Sequence, residues 1–201
     1  MLDPMVEIRP AHSSRLAHIA EVIGRSFVTE PMMTWPLGGR TDDLEERCIR
    51  YHTLFLEPLM DRGIIWESVE GHGALVLVPP EQKDALDDAL ARVDGSKTRD
   101  VFDDGGCRYE LFWEWVASKL PSEPLWHLDS VAVAPGSQGR GIGSALIEFG
   151  LEQARQSGTA MILETGTQRN VPLYERLGFR IVKEADSPKG GPHVWFMRRD
   201  P

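Results

Sequence analysis

Between Leu125 and Ala154 the chain passes from a β-branched apolar run through a glycine-dense loop into helical periodicity. Leu125 to Ala134 reads as a strand, and Pro135 stops it because proline has no N–H to give to a ladder. Gly136, Gly139, Gly141 and Gly143 follow, and Ala145, Leu146, Phe149, Leu151 and Ala154 then recur at helical spacing. A strand, a glycine turn and a helix N-terminus together present bare backbone N–H groups to an anion. A tight strand–helix turn without a ligand is the bland alternative.

The remaining elements are placed around that unit. Val6 and Ile8 suit a short first strand, and Ser13 and Ser14 are N-cap candidates for a helix carrying Leu16, Ile19, Ala20 and Ile23. Residues 27–36 read as an irregular apolar segment with one acid, Glu30. A helix from Thr41 towards Glu57 carries Leu44, Cys48, Tyr51 and Phe55, with His52 read as solvated or at the edge of the core. Strands over 64–69 and 74–78 flank a Gly-rich turn, and helical spacing follows over 81–93. A polar connection is expected over 94–106 and a helix over 109–120. Beyond the central unit come a strand over 160–165, a helix over 170–177 closed by Gly178, and strands over 179–183 and 193–198. Strands and helices so mixed predict one α/β (α+β) domain over 1–201, with a mixed sheet covered by helices on both faces.

Composition excludes some classes. The 22 basic and 31 acidic residues give a net charge of −9, which disfavours general nucleic-acid binding through phosphate neutralisation. The charge favours a cationic partner, though solubility explains it equally. No apolar run reaches the ~20 residues of a membrane span, and no signal peptide is evident, so a cytoplasmic location without membrane partners is expected. Cys48 and Cys107 lie outside any Cys-x-x-Cys pattern and read as reduced thiols; no metal site is expected.

The loop's spacing narrows the anion. A mononucleotide P-loop requires a Lys after its glycines, and none occurs between 120 and 182. A dinucleotide fingerprint fails because Ser144 stands where its third glycine belongs. What remains is Gln138-x-x-Gly141-x-Gly143 after Val-Ala-Val-Ala-Pro, and Tyr174-x-x-x-Gly178-Phe179 about 30 residues later. On these two signatures the chain resembles the GNAT superfamily of acetyl-CoA-dependent N-acetyltransferases. LETGTQRNVPLYERLGF, VLVPPE and the final His-Val-Trp-Phe-Met-Arg extend a looser similarity to the puromycin N-acetyltransferase-like branch. The N-terminal half is similar only in layout.

The resemblance implies a mixed, mostly antiparallel sheet of about six to seven strands, with the fourth and fifth splayed at the cofactor and a cofactor-binding core over about 124–180. It implies that Val131, Ala132 and Val133 pair with the pantetheine of acetyl-CoA, while Gln138, Gly139, Arg140, Gly141, Ile142, Gly143 and Ser144 take its pyrophosphate. Glycines permit close approach to phosphate oxygens, and the helix dipole with Arg140 favours the charge.

Acetyl transfer needs a neutral amine, a polarised thioester and a proton for the thiolate. Tyr174 matches the family's thiolate acid; its reference pKa of about 10 stands against about 8.5 for a thiol. Asn170 lies one turn earlier and shares its face; it is a pantetheine ligand or an N-cap. The Val133 N–H is a candidate donor to the thioester oxygen. For the base, Glu164 near the end of the fifth strand is the catalytic candidate, with His127 and Asp129 as rivals on one face of the fourth strand. Glu30, Trp113 and His127 are candidate substrate contacts; Glu110 and Glu114 either join Trp113 or form a solvated edge. The expected activity is N-acetylation of a small-molecule primary amine by a monomer or homodimer. Acetylation of a peptide N-terminus or lysine, and non-catalytic acyl-CoA binding, are the rival readings.

Overall fold

β3 (Gly73–Val78) is buried along its whole length, so its GALVLV sequence is apolar without alternation and must be covered on both faces. The computed structural model describes residues 6–91, 93, 95–98 and 100–201. β3 lies in a seven-stranded sheet of order β1-β2-β3-β4-β5-β7-β6. The other strands are β1 (Ile8–Pro10), β2 (Ile65–Ser68), β4 (Trp126–Val133), β5 (Met161–Thr165), β6 (Arg180–Asp186) and β7 (His193–Arg199). Every neighbouring pair is antiparallel except β4 and β5.

On one face α1 (Leu16–Phe27) and α3 (Leu44–Leu56) bury Ile19, Ile23, Cys48 and Leu56 against Ala74, Val76, Val78 and Ala132. On the other, α7 (Ile142–Ser157) and α8 (Val171–Arg176) bury Leu146, Ile147 and Tyr174 with Leu75, Leu77, Leu128 and Leu163. At about 1.5–3 kcal/mol per fully buried Leu, Ile or Phe, these two layers supply the main drive to fold. α2 (Pro31–Leu37) and α6 (Cys107–Ala117) form a smaller cluster with β7, where Met32 and Phe112 meet Val194 and Phe196. α4 (Ala85–Leu90) and α5 (Gly95–Thr98) complete the helices of the described residues.

Several expectations need correction. Residues 31–37 are helical, not irregular: Pro31 occupies the first turn, where its missing N–H costs nothing, and the Glu30 carbonyl accepts from Met33 and Thr34. The first helix is entered through a 3-10 turn over Ser13–Arg15, and its cap is the His12 ring accepting from the Ser14 N–H at 3.2 Å, not Ser13 or Ser14. His52 is fully buried, bonded through Nδ1 to the Cys48 carbonyl at 2.7 Å; burial pulls it down to about 4, so it is neutral. Burial likewise pushes the Cys48 thiol up to about 12. The 94–106 connection holds the short α5 and places Val101 and Phe102 in the core; Asp94 and Arg99 of it, and Arg92 of the expected preceding helix, lie outside the described residues. Buried Arg47 ties that connection to α3, donating to the Val101 carbonyl at 3.1 Å and to Asp103 at 3.2 Å.

Candidate active site

The site is built around one extra residue. In the β3–β4 ladder Val76 pairs with Ser130 and Leu77 with Leu128, so Asp129 is an insertion, a β-bulge. The bulge bends β4 away from β5, and their parallel pairing stops after Trp126–Met161 and His127–Ile162. Beyond that point the strands part, and a cavity of about 750 Å³ opens between them. The Ala134 N–H bonds the His72 carbonyl on the β3 side at 2.8 Å. Alternation then turns the Val133 and Val131 amides towards the gap and that of Ala132 towards β3.

One half of the cavity is walled by the loop after β4. Gly139 and Gly141 have φ of +76° and +80°, and a Cβ on either would point into open space. These left-handed residues turn the chain sharply into α7. The first N–H of α7 bonded back into the helix is that of Ala145, to Gly141 at 3.0 Å. The amides of Ile142, Gly143 and Ser144 therefore stand ahead of the helical ladder, free to meet a phosphate at the positive end of the dipole. Gln138, Gly139, Gly141, Ile142, Gly143 and Ser144 line the cavity; Arg140 is exposed and does not. This donor set fits a pyrophosphate, and the open edge of β4 fits the amides of a pantetheine arm.

Across the gap stands α8. Tyr174 and Asn170 both line the cavity, and Asn170 makes no side-chain cap bond to the helix that it precedes. Burial, and the negative charges of Glu30 and Glu164 after it, push the Tyr174 phenol well above its ordinary value. The phenol thus stays protonated as a hydrogen-bond donor, and complete transfer to a thiolate is less favourable than reference values alone suggest.

The carboxylates differ in their partners. Glu164 receives His127 Nε2 at 3.0 and 3.2 Å, with the two side chains only 6% and 15% exposed. Burial pulls His127 down, but the Glu164 carboxylate outweighs it and raises the imidazole to about 9. At neutral pH His127 is therefore an imidazolium, held on Glu164. Glu30 is bonded by the Gly166 N–H at 3.1 Å and the Thr167 hydroxyl at 2.7 Å, which clamps α2 to the end of β5. Burial raises it despite those bonds. Asp129 accepts from the Ser130 hydroxyl at 2.8 Å, and burial raises its pKa against the opposing charge of His127, with Glu164 adding to the rise.

The half of the cavity facing α3 and α6 is aromatic. Trp113 lines it, as expected, whereas Glu110 and Glu114 are exposed and do not. Sequence reasoning missed Tyr51 and Tyr109, whose hydroxyls meet at 3.1 Å within this wall, and Phe55, which stacks on Tyr51 at 5.8 Å. Tyr51 was legible only as a member of an apolar stripe, and nothing in the spacing joins it to Tyr109.

Residues 93–179 match the model of the acetyltransferase (GNAT) family. Glucosamine 6-phosphate N-acetyltransferase of Trypanosoma brucei brucei is 37% identical over 54 residues, 27% of this chain and 37% of that protein. Mycothiol acetyltransferase of Propionibacterium freudenreichii subsp. shermanii is 29% identical over 119 residues, 55% of this chain and 38% of that protein. The matches thus span less than two fifths of those relatives' lengths. The crystal structure of a histone acetyltransferase HPA2 and related acetyltransferase from Corynebacterium glutamicum superimposes with a TM-score of 0.69 at 22% identity, over 96% of this chain and 95% of that one. Among the described residues no helix is long and apolar enough to cross a membrane, and no group of three or more His, Cys, Asp or Glu could hold a metal. The match to the acetyltransferase (GNAT) family model thus covers residues 93–179, the stretch that holds the glycine loop and Tyr174, and the fold is shared with a solved acetyltransferase along nearly the whole chain.

Proposed function

We propose that this protein transfers the acetyl group of acetyl-CoA directly to a primary amine of a small molecule. The observation carrying the proposal is the gap between β4 and β5, which has unpaired loop amides at one end, a strand edge along its side and the Tyr174 phenol facing it. The pyrophosphate rests on the amides of 138–144, Arg140 adds long-range attraction from the surface, and the pantetheine pairs with Val131 and Val133 and reaches Asn170. Ala132 contributes packing. The Val133 N–H polarises the thioester carbonyl.

The amine attacks the thioester carbon, the C–S bond breaks, and Tyr174 gives its proton to the departing sulfur as the charge develops there. The amine's own protons leave through the Glu164–His127 pair, and one of them restores the phenol. An ammonium arriving beside the imidazolium lowers the His127 pKa as a like charge, which makes the pair a proton carrier nearer neutrality. A small-molecule acceptor is supported by the chamber's walls: α2, clamped by Glu30, and α6, bearing Trp113, close it where a peptide would need an open groove.

The test is release of free CoA when purified protein meets acetyl-CoA and a panel of primary amines. Acetyl-CoA that fails to bind, or binds with no amine consumed, overturns the reading.

A further inference from the structure

The acceptor half of the cavity contains an imbalance. Glu164 already holds an imidazolium, and Glu30 is committed to Gly166 and Thr167. Among the described residues Asp129 makes no ion pair within 4.0 Å, and the hydrogen bond that its carboxylate accepts comes from the adjacent serine hydroxyl. A half-buried carboxylate so placed gains most from a cation that enters with the substrate. Asp129 is also the bulge residue, so its side chain lies where the two strands part and the thioester must sit.

The surroundings of that carboxylate are rings. Tyr51 packs against Tyr109 with centroids 5.7 Å apart, and Tyr109 against Trp113 at 6.3 Å. Asp129 lines the same cavity as Tyr51, Tyr109 and Trp113, and its charge joins burial in raising both phenols. An added aromatic ring gains from ring pairing beyond its buried area, and ring faces attract an ammonium. The wall also carries an unmade bond: Trp113 Nε1 is buried with no partner among the described residues. A buried donor left so is costly, and a small turn of the indole towards the cavity would let a substrate oxygen meet it.

We infer that the acceptor is an arylalkyl primary amine bearing an oxygen acceptor, its ammonium anchored by Asp129 and its ring held among Tyr51, Tyr109 and Trp113. This rests on the acetyl-transfer reading above. Phosphorylated amino sugars would offer the aromatic wall no ring, and their phosphate would enter a cavity whose lining carries Asp87, Asp129 and Glu164 as well as Lys83 and Arg169. Polyamines would leave the rings facing methylenes and the Trp113 donor unmet.

The experiment compares tyramine and phenethylamine with agmatine, spermidine, hexylamine and glucosamine 6-phosphate by CoA release. Tyramine is expected to show the highest kcat/KM, at least tenfold above hexylamine and agmatine. Asp129→Asn should raise the KM for tyramine about a hundredfold while the Kd for acetyl-CoA stays within threefold. Trp113→Phe, which keeps a ring but removes the donor, should erase the advantage of tyramine over phenethylamine, and a retained advantage would overturn the oxygen contact. If agmatine, spermidine or the amino sugar exceeds tyramine, the aryl assignment is overturned and acetyl transfer stands. If Asp129→Asn binds acetyl-CoA normally and retains the tyramine KM, the anchor is overturned. Failure of acetyl-CoA to bind the wild-type protein overturns both.

Discussion

The cavity has two halves made of different material. On the α7 side the wall is main chain, with amides of 138–144 and the open edge of β4. On the α3 and α6 side it is side chain, with Tyr51, Tyr109, Trp113 and the carboxylate of Asp129. Backbone donors are fixed by turn geometry and tolerate any side chain that leaves φ alone. Side-chain walls depend on the identity of each residue and on three segments, α3, α6 and β4, arriving together. One half is therefore suited to an invariant cofactor and the other to a particular acceptor.

That contrast can be broken at a single glycine. Gly141→Glu puts a side chain on a residue with φ +80° and a negative charge where a pyrophosphate would rest. Titration calorimetry should show acetyl-CoA affinity falling at least a thousandfold, about 4 kcal/mol; retained binding would remove the loop from the cofactor site. Next in size is Tyr174→Phe, expected to lower kcat about a hundredfold with acetyl-CoA affinity within threefold, read by steady-state kinetics with direct binding. An unchanged kcat would remove the phenol from the chemistry.

The His127–Glu164 pair gives a pH-dependent prediction. The folded pKa of about 9 lies above the unfolded 6.5 or so, so the contribution is complete below about pH 6.5 and is lost as pH rises through about 9. Its size is on the order of 1–3 kcal/mol. Chemical denaturation of His127→Gln should lack this alkaline loss; an identical slope in both proteins would show that the pair contributes nothing. The smallest effect belongs to Arg140→Ala. This exposed side chain lies off the cavity, so acetyl-CoA affinity should fall only about two- to fivefold, and less in high salt. A hundredfold loss would mean that side chains, not main chain, hold the cofactor.

The same division governs what could be read from the chain. Main-chain sites need glycine at set intervals, so 136–143 and the Tyr174-x-x-x-Gly178 ending announce themselves. The strands and the helices on both faces of a mixed sheet follow from periodicity and element order. The aromatic wall does not, because Tyr51 and Tyr109 are 58 residues apart and each looks like ordinary core. The bulge is hidden as well: the alternation of WHLDSVAV breaks at Asp129-Ser130, but only the ladder with β3 shows Asp129 to be the surplus residue. The helix over 31–37 was obscured by prolines that read as breaks when one of them is a start.

The early end of the β4–β5 ladder has a mechanical consequence. The seven strands form a ribbon of four and a ribbon of three, stitched by two residue pairs at one corner. Leu128, Leu163 and α7 glue the ribbons on one face, so a widening of the wedge pivots near Trp126 and breaks almost no interstrand bonds. Amide exchange should therefore divide along this seam, with Val131 and Val133 exchanging faster than their neighbours Ala132 and Ala134. Loading the wedge with ligand would bring the two classes together.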